Sequence, residues 1–159
     1  MSMKSIILYL LLFSFVGMQQ SCESELKDDE VPVIDLSIDN AFPHNCAIVY
    51  RGESFALRFR LADNQELGSY SIEMHHNFDH HTHSTSPVQC EKYPVKLAIK
   101  PFLFINDFSI PGGLKEYIAT GNIQIPADVD TGDYHLMIRV TDKSGWQSFE
   151  GIGFKIRDR

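Results

Sequence analysis

The feature that most constrains the fold is an alternation of apolar and polar residues with a period of two. In the segment SFALRFRLAD, residues 54–63, every second side chain is apolar. The segment DYHLMIRVTD, residues 133–142, repeats the pattern. Successive side chains of a strand point to opposite faces, so each segment predicts a strand with one buried face. The chain is therefore expected to build its core from strands.

Further strands are predicted between turns rich in Gly, Asp, Asn and Pro. No amphipathic helix is apparent. The predicted strands cover residues 33–38, 53–62, 69–76, 117–125, 133–142 and 146–157. Residues 46–50 are a possible extra edge strand, and residues 91–114 are strongly apolar without clear strand boundaries, with part of them a possible exposed binding surface. This pattern predicts an all-β domain over residues 32–159, an antiparallel β-sandwich of about seven or eight strands.

The end of the chain carries a resemblance that bears on the fold. TGDYHLMIRVTDKSGWQSFEGIGFKI resembles the last two strands of many bacterial immunoglobulin-like domains, so an immunoglobulin-like sandwich is expected. Within the last strand, the apolar positions change phase by one around Gly151, which predicts a β-bulge there. We expect Trp146 and Phe149 to be core or edge aromatics.

The N-terminus reads as an export signal. Lys4 precedes an apolar run at residues 6–16, which is shorter than the roughly 20 residues needed to span a bilayer. Ser21 and Cys22 follow, and the arrangement resembles a bacterial lipoprotein signal. The resemblance implies a signal peptide at residues 1–21 and a lipid on Cys22, which would anchor the protein to the outer membrane. The alternative is ordinary secretion with Cys22 as an incidental thiol.

Residues 22–31, CESELKDDEV, have few apolar side chains and are predicted to form a flexible acidic tether. Their carboxylates resemble tags that direct some lipoproteins to the cell surface, and a periplasm-facing spacer is the alternative. The formal net charge of the whole chain is −7, which argues against nucleic acid as a partner.

A family resemblance covers most of the mature chain. DNQELGSYSIEMHHNFDHHTHS, together with the lipoprotein start and the GDYHLMIRVTD ending, resembles Bacteroidota lipoproteins known only as a domain of unknown function. That resemblance implies an exported immunoglobulin-like domain with a His-rich segment, and it implies no activity.

Two cysteines remain after Cys22, and an even pair in an oxidising compartment predicts a disulfide between Cys46 and Cys90. In the chain-entropy model, closing this 44-residue loop stabilises the fold by roughly 4 kcal/mol. The competing interpretation makes one or both thiolates metal ligands beside the histidines.

The segment MHHNFDHHTHS, residues 74–84, holds five of the seven histidines. Imidazole is the commonest protein ligand for zinc and also suits copper, so the cluster predicts a transition-metal site. The predicted ligands are His76, His80, His81 and His83, and Asp79 would either bind the metal or orient an imidazole. His75, on the opposite strand face from His76, and His44 are weaker candidates. His135 is expected to be exposed on its strand.

Topology places the histidine segment at the same end of the sandwich as the loop PADVDTG. That loop carries Asp128 and Asp130 and is followed by Asp133, and these aspartates either bind calcium or act as turn formers. The leading hypothesis is a lipid-anchored envelope protein that binds zinc or copper without catalysis. The alternative is an accessory adhesion or binding module with an envelope protein or glycan partner and no metal. A metal-dependent hydrolase or oxidase is the third hypothesis.

Overall fold

The computed structural model describes residues 27–81 and 90–159, and this part of the chain contains eight strands and no helix. No helix that could cross a membrane is found in it. The strands are β1 (Val33–Asp35), β2 (Ala47–Tyr50), β3 (Ser54–Ala62), β4 (Leu67–His76), β5 (Phe104–Ser109), β6 (Glu116–Gln124), β7 (Gly132–Asp142) and β8 (Gln147–Arg157).

The strands form two sheets that pack face to face. One has the order β1-β3-β6 and the other the order β2-β8-β7-β4-β5. Alternate side chains of each strand fill the space between the sheets: β3, for example, alternates between buried and more exposed positions along its length. The largest fully buried side chains come from both sheets and from residues close to them: Phe59, Leu61, Leu67, Ile72, Met74, Ile125, Tyr134, Leu136, Ile138, Ile152, Phe154 and Ile156. The predicted all-β sandwich is therefore confirmed.

A tyrosine at the start of β7 identifies the kind of sandwich. The Tyr134 hydroxyl donates to the carbonyl of Asp130, four residues earlier, at 2.6 Å. It also accepts a hydrogen bond from the backbone N–H of Phe102 at 3.1 Å. This tyrosine corner, near the start of the penultimate strand, is a hallmark of immunoglobulin-like domains. With β8, β7 and β4 adjacent in one sheet and β1, β3 and β6 in the other, the topology is immunoglobulin-like.

Two edge strands complete the larger sheet. Residues 46–50, treated above as a possible edge strand, provide β2, which pairs with β8 in parallel, so the sandwich is not antiparallel throughout. At the other edge, β5 comes from the apolar region whose boundaries the sequence left open, and it pairs with β4.

The predicted bulge at Gly151 is wrong. The register between β7 and β8 runs without a shift from Gln147 to Ile156, so Phe149 faces outward and is half exposed. Trp146 is also partly exposed, at 44%. A register shift lies instead between Leu67 and Ser69 of β4, opposite the end of β7.

The disulfide between Cys46 and Cys90 is confirmed, with a Cα–Cα distance of 5.4 Å. The backbone N–H of Cys46 donates to the carbonyl of Gly153 on β8, which holds the bridge against the larger sheet. The bridge joins the chain just before β2 to a residue that lies between the histidine segment and β5. Both sulfurs are used in the bond, so neither is a metal ligand.

The last part of the predicted tether lies against the domain. Asp28 is buried, and its backbone carbonyl accepts a hydrogen bond from the indole nitrogen of Trp146 at 3.1 Å. The Ser148 hydroxyl donates to the carbonyl of Pro32. The low apolar content of this segment suggested flexibility, but polar contacts to the β7–β8 hairpin hold it. Residues 1–26, with the predicted signal peptide and Cys22, lie outside the described residues.

Candidate metal centre

Three histidines gather on the outer face of the larger sheet. His75 lies on β4 and His135 on β7, and the two are directly paired in the antiparallel register. Paired residues on neighbouring strands point to the same face with Cβ atoms about 4.5–5.5 Å apart. Their rings meet edge to face with centroids 5.8 Å apart. The register therefore fixes two imidazoles of the site on rigid strands.

A turn after β4 brings the third histidine back over the sheet. The N–H of His80 donates to the carbonyl of Asn77, and His80 has a φ of 59°. Phe78 anchors the turn from below, with its buried ring packed edge to face against Tyr134. The chain thus reverses, and the His81 ring stacks on the His75 ring with centroids 5.3 Å apart and an interplanar angle of 18°.

The ring nitrogens of these histidines converge. One nitrogen each from His75, His81 and His135 lie within 4.8 Å of one another. The Nε2 atoms of His75 and His81 are 3.2 Å apart. Two nitrogens that bind one tetrahedral zinc ion at 2.0–2.1 Å are separated by about 3.3 Å. The spacing of this pair therefore suits ligands of a single ion.

Two carboxylates lie beside the paired rings. Asp79 Oδ1 lies 2.6 Å from Nδ1 of His81 and accepts a hydrogen bond from it. Glu73 Oε1 lies 3.1 Å from Nδ1 of His75. The hydrogen bond from His81 lowers the pKa of Asp79 to about 2. The contact places Asp79 beside the outer nitrogen of His81, where a residue that orients an imidazole would lie, and its role at a metal site stays a prediction.

The close approach of two of the rings suits a shared cation. Nε2 of His75 and Nε2 of His81 are 3.2 Å apart, so one proton or one metal ion can lie between them.

The position of His135 is supported by a buried amide. Nδ2 of Asn77 lies 2.8 Å from Nε2 of His135, while Oδ1 of Asn77 is buried without a hydrogen-bond partner. If the amide were turned over, Oδ1 would accept a hydrogen bond from Nε2–H, and the lone pair of the neutral ring would then be on Nδ1. The orientation of Asn77 thereby determines which nitrogen of His135 can bind an ion.

The structure brings together only some of the histidines that the sequence suggested. His81 is in the cluster, and so is His75, which was the weaker candidate. His76 points away on the opposite strand face, and its ring packs on Phe78. His80 is used structurally, since its Nε2 donates to the carbonyl of Tyr93 at 2.8 Å.

Two further candidates lie apart from the cluster or outside the described chain. His44 sits before β2, with its ring against Phe42 and its Nδ1 3.1 Å from the carbonyl of Asn45. Strand β2, which follows His44, pairs with β8 at the far edge of the sheet, so His44 is not a member of the cluster. His83 lies outside the described residues, and its role as a ligand stays a prediction.

Sequence reasoning missed His135 and Glu73. His135 was expected to be merely exposed on its strand, yet it is partly buried beneath the returning turn. The alternation correctly placed it on the face opposite Tyr134. The sequence does not indicate that β7 pairs with β4, nor the register of the pairing, because His75 and His135 are 60 positions apart.

The aspartates of the loop before β7 and of the start of β7 have other partners. Asp128 pairs with Lys100, and Asp130 Oδ2 accepts the backbone N–H groups of Ile99 and Lys100, each at 2.7 Å. Asp133 forms a buried ion pair with Lys155. These carboxylates hold the segment before β5 and the edge of β8. The geometry therefore does not fit the calcium interpretation of this loop.

A groove runs along the sheet from the histidine cluster. It has a volume of about 290 Å³, and His75 and Glu73 form its end beside the cluster. Phe149 and Ile105 stand exposed along it. A ligand of the metal would thus have room beside the centre.

Taken together, the topology and the tyrosine corner define an immunoglobulin-like β-sandwich with a histidine cluster on its larger sheet. The chain belongs to the family described as a domain of unknown function, DUF4625, whose model matches residues 20–157. No curated protein matches the sequence.

Among solved structures, the chain is similar to a protein described as "GspB Siglec domain". The two share 22% sequence identity with a TM-score of 0.44, and the match covers 83% of this chain. It covers 60% of the other chain, so this protein spans less than two thirds of that length. At this identity and score, the similarity says nothing about function.

Proposed function

We propose that this protein is a non-catalytic transition-metal binder of the cell envelope, with zinc or copper held by His75, His81 and His135. The observation that carries the proposal is the convergence of three imidazole nitrogens within 4.8 Å from two strands and a returning turn. An all-imidazole donor set suits zinc and copper better than magnesium or calcium, which prefer oxygen.

The arrangement supports binding in three ways. Two ligands stand on neighbouring strands, so little conformational entropy remains to be lost when an ion binds. Glu73 and Asp79 face the outer nitrogens of their rings, which favours the tautomer that a metal needs. Three protein ligands also leave one tetrahedral position for a further donor.

A donor for that position is suggested by the sequence. His83 follows His81 in an H-x-H pair, and two residues extend a chain by at most about 7 Å. A site with four histidines would favour capture or structural retention of the ion, whereas a site with three would favour its delivery to another ligand. The variant that lacks His83 therefore separates these roles.

The cellular setting follows from the N-terminal signal. We propose that lipid on Cys22 anchors the protein to the outer membrane, facing either the periplasm or the cell surface. A metal-binding domain displayed in this way would meet ions that enter the envelope.

The decisive experiment measures zinc and copper affinity by calorimetry, together with the melting temperature, for the wild type and single Ala variants. Replacement of His75, His81 or His135 should weaken binding at least tenfold, and saturating metal should raise the wild-type melting temperature. His44→Ala is the matched control and should bind as the wild type does. Affinity should also fall below about pH 6, because protons compete for imidazole.

His76→Ala decides between the ligand set read from the sequence and the one built by the fold. It should bind metal normally if the cluster is the site. A wild-type protein that binds neither metal would overturn the proposal, and so would a His135→Ala variant with undiminished affinity.

One observation favours the accessory binding module as a second candidate. Apolar side chains stand exposed in the segment before β5, with Leu97 at 89% and Ile99 at 90% exposure. Exposed apolar patches often mark protein interfaces. A photo-crosslinker at Leu97 should then yield one defined adduct in cells, and the same crosslinker at exposed Thr120 on β6 should yield none. Equal labelling from both positions would argue against this function.

A further inference from the structure

A second cluster of potential ligands lies at the opposite end of the sandwich. Asp28 precedes β1, Asp63 directly follows β3, and Asp142 is the last residue of β7. One carboxylate oxygen from each lies within 4.8 Å of the others. Asp142 lies seven positions after His135 along β7, or roughly 23 Å away at 3.3 Å per strand residue. The two clusters are therefore independent of each other.

Each carboxylate uses one oxygen to hold local backbone. Asp28 Oδ1 accepts the N–H of Glu30 at 3.3 Å, and Asp142 Oδ1 accepts the N–H of Trp146 at 2.8 Å. Asp63 Oδ2 accepts two backbone N–H groups, from residues 65 and 66, at 2.8 and 2.7 Å. These bonds fix the position of every carboxylate without using its second oxygen.

The second oxygens are buried and unpartnered. Oδ2 of Asp28, Oδ1 of Asp63 and Oδ2 of Asp142 are enclosed and have no hydrogen-bond partner. Asp28 and Asp142 are only 8% and 4% exposed as whole residues. Within residues 27–81 and 90–159, none of the three forms an ion pair with Lys, Arg or His. Buried carboxylates without a partner are costly, so this group calls for a cation.

The geometry points to a calcium site formed by Asp28, Asp63 and Asp142. Calcium binds oxygen at 2.3–2.6 Å, so two ligands of one ion can be up to about 5 Å apart, which accommodates the observed spacing. The donors are all carboxylate oxygens, which a hard cation prefers to nitrogen or sulfur. Calcium also tolerates irregular coordination completed by water, whereas magnesium requires a near-ideal octahedron.

Such an ion would join three parts of the chain that are distant in sequence. It would tie the segment before β1 to the β3–β4 turn and to the β7–β8 hairpin. Trp146 already makes part of this link, because its indole nitrogen donates to the carbonyl of Asp28. The role of the site is thus to fix the N-terminal segment on the domain, and with it the direction in which the chain leaves the sandwich.

The test uses Trp146, the only tryptophan of the chain, as a reporter beside the site. Purified protein is stripped with EGTA and titrated with calcium up to 10 mM, while tryptophan emission and melting temperature are recorded. We expect a saturable change in emission and a rise in melting temperature of about 5 °C or more, since extracellular calcium sites bind with Kd values of about 0.1–1 mM. Magnesium at the same concentration should produce a much smaller response.

Asp28→Asn and Asp142→Asn should abolish both responses to calcium. Asp107→Asn is the matched control, because Asp107 is an exposed carboxylate on edge strand β5, and it should respond as the wild type does. His135→Ala should also keep the calcium response, which separates this site from the histidine cluster. Asp28 lies outside all strands, so its variant is expected to fold. Unchanged emission and melting temperature of the wild type in EGTA and in calcium would overturn the proposal, as would an equal response to magnesium.

Discussion

At the scale of single residues, the histidine centre depends on side chains that would not touch the metal. His81 presents Nε2 to the cluster because its Nδ1–H donates to Asp79, and Glu73 Oε1 lies 3.1 Å from Nδ1 of His75. A neutral imidazole has one donor and one acceptor nitrogen, so the partner of one nitrogen decides what the other can bind. Metal affinity should therefore depend on carboxylates as well as on imidazoles.

We predict that Asp79→Asn weakens zinc binding about 10–100-fold and leaves the melting temperature of the metal-free protein almost unchanged. The amide keeps the size of the carboxylate but loses the charge that favours Nδ1–H on His81. Asp79 is exposed, so its loss should disturb the fold little. Calorimetry of Asp79→Asn beside Asp107→Asn, a charge-matched change on strand β5, isolates the effect. Equal affinities in the two variants would show that Asp79 does not orient its neighbour.

At the scale of strands, alternation was sufficient to predict the faces and most of the elements. The predicted bounds of β3, β7 and β8 agree with the structure within a residue. The same alternation separated His75 from His76. Strand β5 could not be delimited, because it is a short edge strand with mostly exposed side chains and no clear alternation. The apolar residues around it face solvent, where periodicity carries no information on pairing.

The candidate site could be predicted only in part, because its geometry depends on pairing between distant strands. Histidine density correctly drew attention to the segment after β4. The partner on β7 depends on the β4–β7 register, and the place of His81 depends on the reversal at residues 77–80. Neither feature has a local signature. The acidic cluster is even harder to predict from the sequence, since its three aspartates come from segments more than 30 residues apart.

The corner before β7 allows a prediction on stability and its pH dependence. Tyr134→Phe removes the hydroxyl bonded to Asp130 and Phe102, and it should lower the free energy of unfolding by about 1–3 kcal/mol at neutral pH. Burial raises the pKa of Tyr134 to about 12. The folded state thus holds this proton more tightly than the unfolded state does, whose pKa is about 10. The resulting stabilisation is complete below pH 10 and is lost as the pH rises towards 12.

Denaturant unfolding of the wild type and of Tyr134→Phe at pH 7, 9, 10 and 11 checks both parts. Above pH 10 the free energy of unfolding should fall more steeply for the wild type than for the variant. The difference in free energy of unfolding between the two proteins should therefore become smaller. Other groups titrate in both proteins and cancel in the comparison. If the free energies of unfolding of the two proteins change in parallel with pH over this range, Tyr134 does not contribute to the loss of stability at alkaline pH.

At the scale of the whole molecule, the sandwich separates two kinds of potential metal ligands. Nitrogen donors gather on the sheet face at one end of β7, and carboxylates gather at its other end. The disulfide is at the histidine end, where Cys90 Sγ lies 3.8 Å from the carbonyl of Gly153, the residue paired with His135. The bridge thereby lies next to the strand that carries His135.

We predict that loss of this bridge lowers both stability and metal affinity. In the chain-entropy model, closing a 44-residue loop stabilises the native state by about 4 kcal/mol, so Cys46→Ala/Cys90→Ala should melt well below the wild type. Zinc affinity should fall as well, because His81 would be held from one side only and more entropy would be lost on binding. The response to calcium at the opposite end should persist in any fraction that remains folded.

Thermal melts and zinc calorimetry at a temperature where both proteins are folded provide the measurement. A double variant that melts with the wild type, or binds zinc equally well, would show that strand pairing alone holds the centre together.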